Sequence, residues 1–297
     1  MCKPGVNLTL KTQFINVFRN LFKMHAFENK LVKLTAGKPT DSFMCKLVPN
    51  NYQYKPNSNR YAFRNGIKFK LDLSDYVEHA IYFAFKDTAQ DALFSLCKPG
   101  SIIIDIGTNI GYVLLNFARI VGSSGLVFGF EPNPLTYNRC LENISLNDFS
   151  NIKVLNTALG DVSREGILIV PYNRNRGEAY ISSTKPPDHG IKVAITTLDR
   201  FVKENYITKI DLIKIDVEGY EFNVLNGAKE TLKKYKPILF IEVDDELLQR
   251  QNIFPNKLIE FISSFGYSIV KADTYEEITK DYNFKNVHFD IICRIPK

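Results

Sequence analysis

The chain has 297 residues, of which 45% are hydrophobic and 24% are charged, with a net charge of +6. These values are ordinary for a globular protein that can bury a full core. No apolar run approaches the roughly 20 residues needed to span a bilayer, and the first residues do not lead into the apolar segment of a secretory signal. The five cysteines are odd in number and include no CxxC pair, which argues against a disulfide framework or a zinc site and predicts a cytoplasmic protein.

The charge is distributed unevenly along the chain. Residues 1–70 contain 13 Lys and Arg residues against two acids, a net charge of +11, whereas the rest of the chain has a net charge of −5. Residues 8–34 repeat apolar residues at three- and four-residue steps with basic residues between them, which predicts a basic amphipathic helix. Because residues 35–66 are rich in Gly, Pro, Asn and Ser, we expect an irregular connector there. We therefore divide the chain into a basic extension, 1–66, and a main domain, 67–297.

The basic amphipathic helix has several possible partners. It can lie on an anionic membrane surface, so peripheral membrane contact through residues 8–34 is one alternative. We expect instead that its apolar stripe packs on the main domain or on a second copy of the chain in a homo-oligomer. Basic and aromatic residues are also mixed in the connector, as in proteins that bind single-stranded nucleic acid. Since no nucleic-acid-binding signature accompanies them, we do not expect a nucleic-acid partner.

Residues 101–111 organise the main domain. Four isoleucines interrupted only by Asp105 predict a buried parallel strand that runs into a glycine-containing turn and then a helix. Gly107 and Gly111 permit positive φ, and we expect them to let a ligand approach the backbone. Their spacing differs from the G-x-G-x-x-G of dinucleotide sites, and no G-K-[ST] follows as in a phosphate loop.

Acidic residues follow several predicted strands. Strands and helices alternate after residue 100, which predicts a parallel sheet covered on both faces, with an antiparallel pair at the end of the chain. Ligands bind such sheets beyond the carboxyl ends of the strands. An acid beside the glycine turn favours a ligand that is cationic near its ribose, such as S-adenosylmethionine. The acids that follow the strands are Asp105, Glu131, Asp161, Asp216, Glu218 and Glu242.

Several motifs of the main domain resemble those of the FkbM-type methyltransferases within the class I S-adenosylmethionine-dependent fold. The resemblance implies a Rossmann-like, doubly wound α/β fold. Its sheet would be mostly parallel and seven-stranded with an antiparallel edge strand, preceded here by the helical or irregular N-terminal extension. The matching segments are Asp105-Ile-Gly107-Thr-Asn109-Ile-Gly111, Phe130-Glu131-Pro132-Asn133, Ala158-Leu159-Gly160-Asp161, Ile213-Lys-Ile-Asp-Val-Glu-Gly219 and Ile241-Glu242-Val243.

The resemblance also implies roles for the cofactor-binding residues. Asp105 would lie near the cofactor's ammonium group, Glu131 would hold its ribose hydroxyls, and Asp161 would lie by the adenine. The turn residues would line the amino-acid end of the cofactor. These are Gly107, Asn109 and Gly111.

The catalytic candidates lie on two later strands. Asp216 and Glu218 would face the reacting centre, and either of them or Glu242 could be the base that deprotonates a hydroxyl. These carboxylates could instead hold a divalent cation such as Mg²⁺, but we assign no metal site. Because Lys214 shares a strand face with Asp216, we expect it to neutralise a neighbouring carboxylate. Asp244 stands where family members frequently have histidine.

The sequence therefore predicts an S-adenosylmethionine-dependent O-methyltransferase for a hydroxyl of a small-molecule or carbohydrate-like acceptor. We expect the loop 171–190 to lie on the acceptor side. One alternative is a nucleotide-dependent dehydrogenase of Rossmann type, which the glycine spacing disfavours. Another is a non-catalytic binding or scaffold protein, which the intact set of acids disfavours.

Overall fold

The computed structural model describes residues 10–171, 175–182 and 190–296. The chain forms two compact units, the first ending at Asp87 and the second beginning at Thr88. Within the described residues, no helix is long and apolar enough to cross a membrane.

The N-terminal unit combines four helices with a β-hairpin. Two helices, separated by residues 22–24, replace the single helix expected over 8–34. The hairpin turns at Asn65 and Gly66, both at positive φ, as its two-residue connection requires. Beneath it, Arg60 donates to the fully buried Glu28 at 2.8 Å. The elements are α1 Leu10–Leu21, α2 His25–Thr35, α3 Phe43–Lys46, β1 Asn59–Arg64, β2 Ile67–Asp72 and α4 Tyr76–Phe83.

The C-terminal unit alternates strands with helices, as the sequence predicts. Its elements are α5 Thr88–Ser95, β3 Ile102–Ile106, α6 Tyr112–Val121, β4 Leu126–Phe130, α7 Pro134–Ser145, β5 Ile152–Leu155, β6 Ala158–Leu159, β7 Arg164–Ile169, β8 Tyr180–Ile181, β9 Ile191–Thr196, α8 Leu198–Glu204, β10 Leu212–Ile215, α9 Glu221–Asn226, α10 Lys229–Tyr235, β11 Ile238–Asp244, α11 Asp245–Arg250, α12 Pro255–Ser263, β12 Ser268–Lys271 and β13 His288–Arg294.

The main sheet has seven strands in the order β12-β13-β11-β10-β3-β4-β5. The mostly parallel Rossmann-like sheet is thus confirmed. Strand β13 is antiparallel to both of its neighbours, so the antiparallel strand lies one position in from the edge. After β3 the chain builds β4 and β5 on one side and later returns to place β10 on the other side. The topological switch point therefore lies between β3 and β10, where ligands bind in open α/β sheets.

Successive residues of the central strands point to opposite faces of the main sheet, and each face has its own apolar cluster. Ile104 and Ile213 belong to the cluster that includes α8 to α12. Ile103 and Leu212 belong to the cluster that includes α5 and α6. Helices on both faces leave only the strand ends open for polar groups.

A second, four-stranded sheet has the order β6-β9-β7-β8. Strands β7 and β8 pair as an antiparallel hairpin. Strand β6 pairs with β9 in this sheet and not with a strand of the main sheet.

Candidate active site

Strand register brings the predicted acids to one edge of the main sheet. Lys214 on β10 is paired with Asp105 on β3 and with Phe240 on β11. Two residues further along the same direction, Asp216 and Glu242 are therefore neighbours, and Glu242 is paired in turn with Asp290 on β13. We call the group Asp105, Asp216, Glu218 and Glu242 the carboxylate edge.

Lys214 neutralises part of the carboxylate edge, as the sequence predicts. Its side chain is 6% exposed, and its Nζ lies 3.1 Å from Asp216 Oδ2 and 3.6 Å from Asp105 Oδ1. Nζ also donates to the Gly107 carbonyl at 3.0 Å. Burial alone would lower the pKa of Lys214, but attraction to Asp216 and Asp105 raises it above its usual value. Lys214 is therefore a permanent cation at the switch point.

Asp105 is a fully buried carboxylate at the end of β3. Neither of its oxygens has a hydrogen-bond partner among the described residues, because Lys214 is too distant for a hydrogen bond. Burial raises the pKa of Asp105, and Lys214 opposes this effect. Two buried acceptor oxygens without donors are costly in free energy, so this position suits a ligand that brings a cation or a donor.

Gly107 and Gly111 hold the turn after β3 at positive φ, at +82° and +87°. Packing gives a second reason for glycine at these positions. A Cβ on Gly107 would clash with the Asp216 carbonyl oxygen, and a Cβ on Gly111 would lie 2.8 Å from Cys140 Sγ. Close packing inside the protein therefore also requires both glycines, and the ligand approach expected at this turn stays a prediction.

Most backbone donors of the 107–111 turn are already engaged. The Gly107 and Thr108 N–H groups donate to the Phe130 carbonyl at 3.0 and 3.1 Å. The Asn109 N–H donates to Glu131 Oε2 at 2.9 Å, and the Gly111 N–H donates to the Thr108 carbonyl. A pyrophosphate would find few donors in this turn and would lie beside carboxylates, which explains physically why the turn is not a dinucleotide site.

Glu131 follows β4, and its side chain connects the 107–111 turn to the loop after β4. Its residue exposure is 7%, and its Oε1 accepts a 2.9 Å hydrogen bond from the Asn133 N–H. Burial raises the pKa of Glu131 to about 7, although the two backbone donors oppose the rise. Each carboxylate oxygen keeps a second lone pair, so the side chain can still accept hydrogen bonds from hydroxyl groups.

The segment after β10 presents Glu218 in a tight turn. Glu221 Oε1 accepts from the Val217 and Gly219 N–H groups at 3.1 and 3.0 Å, which holds the turn from both sides of Glu218. Glu218 itself has φ of +56°, a conformation that a side chain disfavours. Burial, followed by repulsion from Asp216, raises the pKa of Glu218 to about 8.

Glu242 has the most unusual surroundings of the predicted catalytic residues. Its side chain is 15% exposed, and its Oε2 has no hydrogen-bond partner within the ranges that the structure describes. Burial raises the pKa of Glu242 well above its usual value, and repulsion from Asp216, Glu221 and Glu218 adds to the rise. A raised pKa makes the ionised carboxylate of Glu242 a stronger proton acceptor.

The sequence analysis missed His288, the first residue of β13. Its Nδ1 lies 2.9 Å from Asp244 Oδ2 and 3.8 Å from Glu242 Oε1. The β11–β13 register places His288 directly opposite Asp244, so an imidazole does reach this part of the edge, although residue 244 is not histidine. The only local signal for His288 was its position in the predicted final strand. The sequence does not show that His288 faces Asp244, because this contact depends on the register of the antiparallel pairing.

Asp161 follows a strand of the second sheet, and its role beside the adenine stays a prediction. Asp161 is exposed and follows β6 of the four-stranded sheet. It lies near Tyr220, whose hydroxyl accepts a 2.9 Å hydrogen bond from Arg164. Burial raises the pKa of Tyr220, Arg164 opposes this effect, and Asp161 adds to it. By contrast, Gly107, Asn109, Gly111 and Glu131 form one hydrogen-bonded group next to the carboxylate edge.

Two further predictions concern the acceptor side and a metal. In the loop 171–190, residues 172–174 and 183–189 lie outside the described residues, whereas Glu178 lies close enough to Glu218 to raise its pKa. In the described part of the chain, no group of three or more His, Cys, Asp or Glu side chains is arranged to hold a metal ion.

Comparisons with known proteins find methyltransferases. The model of the methyltransferase FkbM domain matches residues 105–269. The 2-O-methyltransferase NoeI of Sinorhizobium fredii is 29% identical over 184 residues, which are 57% of this chain and 73% of that protein. The hexuronic acid methyltransferase AglP of Haloferax volcanii is 30% identical over 144 residues, which are 48% of this chain and 55% of that protein.

The similarity to solved structures is lower in sequence. A methyltransferase FkbM from Methylobacillus flagellatus is 16% identical with a TM-score of 0.43, over 73% of this chain and 52% of that chain. The chain thus spans about half the length of AglP and of this structure.

Proposed function

The chain belongs to the FkbM methyltransferase family, and on this basis we propose that it transfers a methyl group from S-adenosylmethionine to a hydroxyl of a carbohydrate-like or other small acceptor. The carboxylate edge at the switch point is the observation that carries the proposal. It offers negative charge where a dinucleotide site would offer N–H donors, and it lies where ligands bind in this fold.

The residues present fit this cofactor. Asp105 brings two buried oxygens without hydrogen-bond partners among the described residues, and these suit an ammonium group. Glu131 keeps lone pairs for two ribose hydroxyls. The turn residues Gly107, Asn109 and Gly111 would line the amino-acid end. When bound, S-adenosylmethionine supplies a methyl group activated by its sulfonium charge.

We assign the role of base to Glu242. It would accept the proton that the acceptor hydroxyl loses as the oxygen attacks the methyl carbon. Asp216 is less suited, because its carboxylate is already paired with Lys214 at 3.1 Å. Glu218 is the second candidate, and when it is ionised its charge would raise the proton affinity of Glu242. Alignment of the acceptor with the methyl group would supply the rest of the rate enhancement.

The names of two relatives support the acceptor class. NoeI is a 2-O-methyltransferase and AglP is a hexuronic acid methyltransferase, so a sugar hydroxyl is the acceptor we propose here. Neighbouring carboxylates suit such an acceptor because ionised carboxylates accept hydrogen bonds from hydroxyl groups.

Isothermal titration calorimetry tests the cofactor assignment. We expect S-adenosylmethionine to bind and NAD⁺ not to bind, and we expect Glu131→Ala to weaken S-adenosylmethionine binding by at least about tenfold. Glu165→Ala is the matched control, since that side chain is 63% exposed on β7. Failure of S-adenosylmethionine to bind the wild type, or equal binding by Glu131→Ala, would refute the proposal. A methyl-transfer screen with labelled cofactor against neutral sugars, hexuronic acids and polyketides then identifies the acceptor.

A further inference from the structure

Helix α1 presents its apolar face to solvent. Phe14, Val17 and Leu21 are each 66% exposed, and Phe18 is 53% exposed. These four residues share one side of the helix at three- and four-residue spacing, and the rings of Phe14 and Phe18 contact each other at 5.1 Å. We call this group the α1 apolar face. The face is exposed in the single chain, and the packing expected on a second copy stays a prediction.

The polar side of α1 is the side that packs. Asn16 is only 8% exposed, and it donates to the Tyr52 hydroxyl at 3.1 Å. Arg19 Nε donates to the Lys46 carbonyl at 2.8 Å, and Lys23 Nζ donates to the Gln53 carbonyl. A surface helix normally buries its apolar stripe and exposes its polar face, so α1 has the opposite orientation.

Further exposed apolar side chains lie near the α1 apolar face in the sequence. Of the eighteen large apolar side chains that are exposed in the described residues, nine lie between residues 14 and 43. A monomeric protein seldom leaves such a concentration open unless it contacts a partner or a membrane. The five that lie outside the α1 apolar face are Ile15, Met24, Phe27, Leu34 and Phe43.

The same region is strongly basic. Among residues 10–71 the two acids are Glu28, which is buried against Arg60, and Asp41. The N-terminal unit carries several exposed lysines. A partner that covers the exposed apolar side chains must therefore carry negative charge or tolerate the positive potential of these lysines. The exposed lysines are Lys30, Lys33, Lys38, Lys46 and Lys55.

We propose that the N-terminal unit docks on an anionic lipid surface. In this arrangement α1 lies in the plane of the interface, the α1 apolar face enters the acyl region, and the exposed lysines contact lipid phosphates. A second copy would bring two basic surfaces together. A nucleic acid would compensate the charge and leave the α1 apolar face in water. An anionic bilayer satisfies both requirements, and the docking is independent of the methyl transfer proposed above.

Vesicle flotation with the full chain tests the lipid preference. The two probes are vesicles of phosphatidylcholine alone and vesicles containing about 30% phosphatidylglycerol. We expect the wild type to float with the anionic vesicles, to remain unbound with the neutral ones, and to lose binding as salt is raised. Equal binding to both vesicles, or binding to neither, overturns the proposal.

Apolar variants test the face itself. We expect Phe14→Ser with Phe18→Ser to weaken binding to anionic vesicles by at least about tenfold, since two inserted aromatic side chains are lost. The matched control is Tyr206→Ser with Phe254→Ser, whose side chains are 88% and 63% exposed in the C-terminal unit. Circular dichroism should show that both double variants keep their helix content. Equal binding by the Phe14/Phe18 variant and the wild type overturns the proposal.

Charge variants and the oligomeric state complete the test. We expect Lys30→Glu with Lys33→Glu to weaken anionic-vesicle binding more than Lys203→Glu with Lys280→Glu, which changes the net charge by the same amount. Equal effects would contradict docking through the N-terminal unit. If light scattering shows a wild-type dimer that the Phe14/Phe18 variant converts to a monomer, a second copy covers the face and the lipid proposal is wrong.

Discussion

Replacing Lys214 by methionine should destabilise the protein strongly, because the change leaves a buried carboxylate without its counter-charge. Methionine has a similar volume, so the apolar packing changes little. The lysine side chain is 6% exposed and that of Asp105 is fully buried. Removing one partner of a buried pair costs about 3–5 kcal/mol, a large part of the 5–15 kcal/mol that is typical of a whole protein.

The loss should depend on pH and on Asp105. Without Lys214, burial holds the pKa of Asp105 far above its unfolded value, so the carboxyl group is stable when protonated and becomes costly as the pH rises. The deficit relative to the wild type should therefore be larger at pH 8 than at pH 5. Adding Asp105→Asn removes the buried charge, and the double variant should recover at least about 1 kcal/mol of the loss.

Urea unfolding followed by far-UV circular dichroism measures these differences, since the chain has no tryptophan for fluorescence. Lys233→Met is the matched control. Lys233 and Glu230 form a pair at 3.3 Å with side chains 62% and 76% exposed, and an exposed pair contributes at most about 1 kcal/mol. A loss below about 1 kcal/mol for Lys214→Met would refute the reasoning. An additional loss on adding Asp105→Asn would refute it as well.

Three further variants test the site. Glu242→Gln should lower kcat by at least about 100-fold while the Kd for S-adenosylmethionine stays within about twofold, and an unchanged kcat would assign the base elsewhere. S-adenosylmethionine should bind the wild type more weakly as the pH falls through about 7, where Glu131 becomes protonated, whereas Glu131→Gln should bind weakly at every pH in calorimetry. Gly111→Ala should cost about 2 kcal/mol in urea unfolding, because alanine disfavours φ of +87° and its Cβ would meet Cys140 Sγ at 2.8 Å. Gly266→Ala, at φ of +83° with open space, should cost only about 1 kcal/mol.

The core of the candidate site could be predicted because its signals are local. A buried strand is a short apolar run, and an acid or glycine at its end stands out against that run. Asp105, Glu131 and Asp216 were found in this way. Asp161 carries the same signal and its role stays a prediction. No local pattern indicates that β5 ends at Leu155 and that β6, which precedes Asp161, pairs with β9 in another sheet.

The sequence by itself determined the alternation of strands and helices, the glycine turn, the acids after the strands and the family. Each of these depends on neighbours along the chain. Only the tertiary structure decided which charged residues lie together. Strand order and register bring Lys214 to Asp105 and His288 to Asp244, residues that are more than 40 positions apart in the sequence. It also decided why Gly107 must be glycine and which side of α1 is exposed. Periodicity defines an apolar face, but only long-range packing determines whether that face is buried.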